Sequence, residues 1–223
     1  MERVICLIIG YVFGLFQTAF IYGKAHGIDI REHGSGNSGT TNALRVLGTK
    51  AGIIVFLGDC LKCIAAVWIA RLIFGGSHPD ESYLLSIYAG AGAILGHNFP
   101  FYMSFRGGKG IAATAGLILS FHPYFIPVAC ILFFGIFFTT HYVSLGALTM
   151  YAAFFIEMMI CGQMGVFEGM TQPRLTELYI ITFLLTVLAY WKHKENLVRL
   201  VHGNERKTYL LKKNKLEAED KKR

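Results

Sequence analysis

The sequence predicts an all-α integral membrane protein. It reads as a seven-helix bundle with one helix short or partly inserted, the N-terminus outside and the C-terminus cytoplasmic. Three observations carry this. Of 223 residues, 54% are hydrophobic and only 16% charged, against about 25% charged in soluble domains. The apolar residues come in long runs, and a run of about 20 matches the roughly 30 Å of bilayer hydrocarbon at about 1.5 Å of helix rise per residue. The connections between runs alternate between basic and non-basic, which sets a topology.

The elements follow in order. Residues 4–22 form the first span, and no small-residue cleavage site follows it, so it reads as a retained helix and not as a removed signal peptide. Residues 24–50 are a polar, glycine-rich loop. Residues 51–73 form the second span, interrupted by Asp59, Lys62 and Arg71. Residues 75–82 are a short loop with Asp80 and Glu81, residues 83–105 the third span, and residues 106–110 a tight basic loop. Residues 111–120 are too few to cross straight, so they make a short, tilted or half-inserted helix, which His122-Pro123 stops. Residues 124–140 and 143–162 are two spans joined by a tight turn, residues 163–174 a loop, and residues 175–191 the last span. From Lys192 the chain is basic and amphipathic. Residues 1–211 thus make one transmembrane domain, and residues 212–223 a basic, disordered tail.

Lys24, Arg31, Arg45 and Lys50 load the first loop, and Arg106 and Lys109 the third. The intervening connections carry Asp80 and Glu81, then His122, then Glu168 with Arg174. The positive-inside rule puts the basic loops in the cytoplasm. Parity holds only with the short element counted as a crossing, hence seven helices.

The net charge is +7, from 21 Lys and Arg against 14 Asp and Glu. Most of these basic residues lie between or after apolar runs, where they set topology and attract anionic groups. No basic stripe interleaved with exposed aromatics is present, so nucleic acid is not a partner; the lipid bilayer is. Cys6, Cys60, Cys63, Cys130 and Cys161 lie in or beside apolar runs. The C-x-x-C of Cys60 and Cys63 has no second pair and reads as packing, not as zinc or redox chemistry. No H-E-x-x-H and no carboxylate cluster for a divalent cation occur, so neither a metal nor a cofactor is expected.

Three groups of residues carry chemistry. The first is Gly34-Ser35-Gly36-Asn37-Ser38-Gly39-Thr40-Thr41-Asn42, followed by Arg45. Its glycines let successive N–H groups face one side as an anion nest. Thr41 or Asn42 can cap the helix that follows, whose N-terminus adds partial positive charge. Arg45 adds a bidentate fork. The G-x-G-x-x-G within it is a decoy, since polar Asp29-Ile30-Arg31-Glu32-His33 precedes it where a dinucleotide site needs a buried strand.

The second is Gly96-His97-Asn98-Phe99-Pro100 with Arg106-Gly107-Gly108-Lys109-Gly110. Met103 and Gly110 occupy the positions where a P-loop needs its first glycine and its Ser or Thr, so this is not a Walker A loop. It can still hold a second anion. His97, within a span, is a candidate for function by its cost, a hydrogen-bonded structural histidine being the other reading. The third is Tyr142-Val143-Ser144 with His193-Lys194-Glu195-Asn196, at the same depth. Asp59 and Lys62 share a helix face and read first as an intramembrane ion pair that orders the bundle, with Glu157 and Gln17 as further polar anchors; a proton or ion pathway is the rival reading.

The H-x-x-x-x-D of acyltransferases that use thioesters is absent, as is G-x-S-x-G. Two anion loops without a strong base suit a donor that already carries a good leaving group. A transporter of organic phosphates would also want basic loops, but it should show an inverted repeat and charges near the midplane, and no repeat is present. A magnesium-dependent phosphotransferase would need carboxylates beside the phosphates, and these loops offer little beyond Asp29, Glu32 and Glu195.

In motif order over nearly the whole chain, GSGNSGTTN with Arg45, GHNFP, RGGKG, Val143-Ser144 and HKEN resemble the bacterial acyl-phosphate:glycerol-3-phosphate acyltransferases, the PlsY family. The resemblance implies a seven-helix enzyme of the bacterial cytoplasmic membrane. It would move an acyl group from acyl phosphate to the 1-hydroxyl of glycerol 3-phosphate, giving lysophosphatidate and phosphate, the first step of phospholipid synthesis. No metal, coenzyme A or acyl carrier protein would be required. On that scheme Ser35, Arg45, Lys109, Ser144, His193 and Asn196 bind glycerol 3-phosphate. Asn37, Gly39, Thr41, Asn42, Gly107, Gly108 and Gly110 hold the donor phosphate. His97, Lys109 and Ser35 are the catalytic candidates, with His97 orienting a substrate or acting as base unless the leaving phosphate takes the proton.

Overall fold

The computed structural model describes residues 1–210, so the tail expected over residues 212–223 lies outside the described residues. Ten α-helices are present among them: α1 (Glu2–Gly14), α2 (Thr18–Ala25), α3 (Thr40–Leu47), α4 (Thr49–Phe74), α5 (Ser82–Asn98), α6 (Ile111–Phe121), α7 (Phe125–Thr140), α8 (Val143–Gln163), α9 (Gln172–Lys192) and α10 (Lys194–Val201). No strand occurs among the described residues. Among the described residues four stretches are long and apolar enough to cross a membrane, Glu2–Ala25, Thr49–Phe74, Val143–Gln163 and Gln172–Lys192. α5, α6 and α7 are shorter, at 17, 11 and 16 residues.

Much of the outer surface is apolar. Ile8, Val12, Trp68, Leu72, Ile131, Phe138 and Leu184 all point outward and exposed, as suits a solvent of hydrocarbon. In such a solvent helices associate by close packing of small residues. Gly10 and Gly14 of α1 lie against Gly92 and Gly96 of α5. A Cβ at Gly10 would overlap the Ala89 carbonyl oxygen, and one at Gly92 the Leu7 carbonyl oxygen. Backbone meets backbone here.

Two spans depart from the sequence reading. The first is not continuous over residues 4–22: α1 stops at Gly14 and α2 starts at Thr18. Gln17, fully buried between them, turns its Nε2 to the carbonyls of Gly14, Gly96 and His97 at 3.1, 3.3 and 3.1 Å. These bonds serve the Gly14 carbonyl freed at the break and two carbonyls in the last turn of α5. The third span was expected to reach Phe105 but α5 ends at Asn98. Pro100 disfavours helical conformation at Phe99, which sits at φ −135°, ψ 59°. A 3-10 turn (Phe101–Met103) follows, and Ser104 and Phe105 take left-handed φ values of 54° and 59°.

The expected pair of Asp59 and Lys62 forms, with Nζ 2.8 Å from Oδ1 and both side chains buried. The connections gather at two ends. Arg71, Pro79, Tyr83, His122, Pro123 and Glu168 surround a depression at one end. α4 carries the chain from there to Thr49, about 30 Å away, where the chemistry-bearing loops meet.

Candidate active site

A cavity of about 960 Å³ opens among those loops. The first loop forms one wall because Asn42 ties it together. Its Oδ1 accepts from the Ser35 N–H at 2.8 Å, and its Nδ2 donates to the carbonyls of Ile30 and His33 at 3.1 and 2.9 Å. Gly34 (φ 64°) leaves no room for a Cβ beside that amide. The helix cap differs from the expectation. Neither Thr41 nor Asn42 caps α3; Gly39 does, in extended conformation and with no side-chain bond. The first N–H groups of α3 therefore stay open toward the cavity, which Thr40 and Thr41 line. Beside them the hydroxyls of Ser38 and Thr40 are buried with no hydrogen-bond partner. Sequence reading passed over both, although the glycine-flanked hydroxyls were the available signal.

The second loop is shaped by α5. The N–H groups of Gly107 and Gly108 donate to the carbonyls of Asn98 and His97 at 3.2 and 3.1 Å. A side chain at Gly107 would meet the His97 carbonyl oxygen, and one at Gly108 the imidazole itself. The donors of both are thus engaged within the protein, and neither residue lines the cavity, whereas Gly110 does. Lys109 is carried inward and donates to Asn196 Oδ1. Burial, with Arg199 nearby, pushes its ammonium down to about 8. Arg45 donates to Thr208 Oγ1 at 2.8 Å and to the Arg206 carbonyl at 3.2 Å.

The third wall centres on a residue that no motif flagged. Glu205, beyond α10, accepts from Ser144 Oγ at 3.0 Å, Asn196 Nδ2 at 2.6 Å and Arg199 Nε at 2.8 Å. Burial raises its carboxyl, but these three bonds outweigh it and hold the group below the usual range. The Thr208 N–H donates to the His141 carbonyl at 2.9 Å, so residues 203–208 strap across the mouth of the cavity. Its signal in the sequence was a lone acid in the basic run Arg199–Lys207. His193 donates from Nδ1 to the Ala189 carbonyl at 2.8 Å, leaving Nε2 buried and unpartnered. That nitrogen carries a free lone pair.

His97 is buried, with Nδ1 3.0 Å from the Lys62 ammonium. Lys62 can only donate, so Nδ1 accepts and the ring hydrogen sits on Nε2. In that tautomer the Nδ1 lone pair is engaged by Lys62 and Nε2 carries the hydrogen.

Ser35, Asn37, Gly39, Thr41, Asn42, Arg45, His97, Lys109, Gly110, Ser144, His193 and Asn196 thus line one cavity. Away from them its wall turns apolar between Phe56 and Leu57 of α4, Ala115 and Leu119 of α6, and Phe133 and Phe134 of α7. Phe56, Leu57, Leu119 and Phe134 also face outward, so the groove opens sideways to the bilayer. One end of the cavity suits anions and the other an alkyl chain.

The family model described as "Glycerol-3-phosphate acyltransferase" matches residues 4–203. Among similar proteins, "Glycerol-3-phosphate acyltransferase 2" of Bacillus cereus is 35% identical over 93% of this chain and 96% of its own. The "Glycerol-3-phosphate acyltransferase" of Thermoanaerobacter sp. is 36% identical over the same shares. The crystal structure of PlsY, an integral membrane glycerol 3-phosphate acyltransferase, in its glycerol 3-phosphate form superposes with a TM-score of 0.80. It is 29% identical and covers 94% of this chain and 96% of its own. Its lysophosphatidic acid form gives 0.78 at 28% identity, over 94% and 97%.

Proposed function

Because this chain belongs to the glycerol-3-phosphate acyltransferase family, we propose that it acylates the 1-hydroxyl of glycerol 3-phosphate with a fatty acyl phosphate. Lysophosphatidate and inorganic phosphate leave. The observation that carries this reading is the joining, in one cavity, of two anion-receiving walls and a lipid-open apolar groove. The acyl chain lies in the groove between α4, α6 and α7, and each methylene it buries contributes about 0.8 kcal/mol. The donor phosphate sits at the N-terminus of α3, held by the Gly39 and Thr41 backbone, the free hydroxyl of Thr40, and Gly110. Asn37 and Asn42 shape that wall. The phosphate of glycerol 3-phosphate is bound by Arg45, Lys109, Ser144, His193 and Asn196, while Ser35 orients its glycerol hydroxyls.

The hydroxyl oxygen then forms a bond to the acyl carbon, and the bond from that carbon to the phosphate oxygen breaks. A mixed anhydride needs little help to leave, so positioning supplies most of the acceleration. The proton passes to the departing phosphate. The His193 imidazole is pushed down to about 4, mainly by burial, which makes it a weaker base than a phosphate with a pKa of about 6. No metal, cofactor or acyl carrier protein enters the scheme.

In the bilayer α1 and α2 together make one crossing and α6 another, giving seven with the N-terminus outside. The site then faces the cytoplasm of a bacterial cell, where glycerol 3-phosphate is available. Purified protein in lipid, given palmitoyl phosphate, tests the reading. Phosphate release that requires glycerol 3-phosphate and matches lysophosphatidate formation supports it; no turnover with either substrate set sinks it.

A further inference from the structure

Two features remain that the scheme does not use: the break in the first span, and the buried charge beside it. At the break the carbonyls of Gly14, Leu15 and Phe16 lose their helical donors. Tyr102 Oη serves Leu15 at 2.6 Å. Lys62 of α4 serves the others, with Nζ 2.6 Å from the Phe16 oxygen and 3.3 Å from the Gly14 oxygen. The same ammonium lies 2.8 Å from Asp59 Oδ1 and 3.0 Å from His97 Nδ1. Asp59 is occupied in turn by Thr18 Oγ1 at 3.0 Å, and stands 3.6 Å from His97 Nδ1, too far to share a hydrogen bond.

An ion pair needed only to order the bundle would be complete with Asp59 and the freed carbonyls. Lys62 instead spends one of its three hydrogens on an imidazole. That bond fixes the tautomer and the plane of the ring. Gly108 rests on the other side of the ring, with no room for a Cβ at Nε2. The N–H groups of Gly107 and Gly108 hang from the Asn98 and His97 carbonyls. The turn that delivers Lys109 is therefore seated on His97, and His97 is seated on Lys62.

We propose that Lys62 is a positioning residue for the anion-binding loop: by holding His97 at Nδ1 it sets where Gly107–Gly110 lies, and hence where the Lys109 ammonium stands. The inference rests on the acyltransferase reading for its readout. It assigns Lys62 no contact with substrate and no part in the proton transfer. Its effect is on how well glycerol 3-phosphate is held, because Lys109 belongs to that subsite.

The experiment compares K62M/D59N, which removes both buried charges together, with G108A and with the three substitutions combined, all in lipid. Melting temperatures report folding. The pair variant is expected to raise KM for glycerol 3-phosphate roughly tenfold to a hundredfold, the effect of misplacing a contact by about an ångström. Its kcat and its KM for palmitoyl phosphate should stay within about threefold. G108A, which disturbs no buried charge, should show the same split, so the test stands even if the pair variant does not fold. The triple variant should be less impaired than the product of the two, since both act on one loop. A lowered melting temperature with unchanged KM, or strictly multiplicative effects, would overturn the proposal and leave Lys62 as an ordering charge alone. Wild-type protein run in parallel separates the two failures: if it too releases no phosphate, the acyltransferase reading is what has failed.

Discussion

Glu205 is the residue whose removal should be most informative. It accepts from Ser144, Asn196 and Arg199 at 2.6–3.0 Å. Its bond to Asn196 turns that amide so that Oδ1 faces Lys109. In E205Q one amide oxygen can still serve Ser144 and Asn196, but the new NH2 group faces the Arg199 donor. One charge-assisted bond is lost, worth about 1.5–3 kcal/mol. In E205A all three donors lose their acceptor, and breaking such a buried arrangement costs about 3–5 kcal/mol. At about 1.4 kcal/mol per factor of ten, E205Q should raise KM for glycerol 3-phosphate roughly tenfold to a hundredfold. E205A should go further and release the strap of residues 203–208. Initial rates over a glycerol 3-phosphate series measure the first, and limited proteolysis followed by mass measurement of the C-terminal fragment measures the second. If E205A keeps wild-type KM and wild-type protection of the strap, the argument that this carboxylate organises the subsite is wrong.

Lys109→Ala should nearly abolish turnover. In the wild type the Lys109 ammonium, pushed down to about 8, is charged below that pH and neutral above it. KM for glycerol 3-phosphate should therefore be flat near neutrality and climb as pH rises past about 8; a flat profile to pH 10 (roughly the ordinary lysine range) would refute the assignment. Gly92→Leu drives a side chain into the Leu7 carbonyl oxygen and should destabilise the α1–α5 pair by about 3 kcal/mol, read as a lowered melting temperature in lipid. Glu168→Ala alters the depression at the other end of the bundle and should leave kcat/KM within about twofold. Equal losses from Lys109→Ala and Glu168→Ala would discredit the site.

Much of this was legible in the residues. Long apolar runs and alternating loop charge are local properties, so helices, their approximate ends and a membrane setting followed without any contact being known. The anion loops were legible for the same reason, since glycine spacing with Ser, Thr, Arg and Lys is written within a dozen positions. Breaks inside spans were not. Gln17 interrupts the first span because carbonyls of α5 are there to receive its amide, and those carbonyls belong to residues about 80 positions away. The committed N–H groups of Gly107 and Gly108, the tautomer of His97 and the place of Glu205 share this character. Each depends on which hydrogen-bond partner arrives from another element. In a chain whose solvent is hydrocarbon, a polar group cannot fall back on water, so tertiary contacts decide its role. What the sequence by itself determined is the kind of chemistry available; which atoms remain free to perform it was decided only when the helices packed.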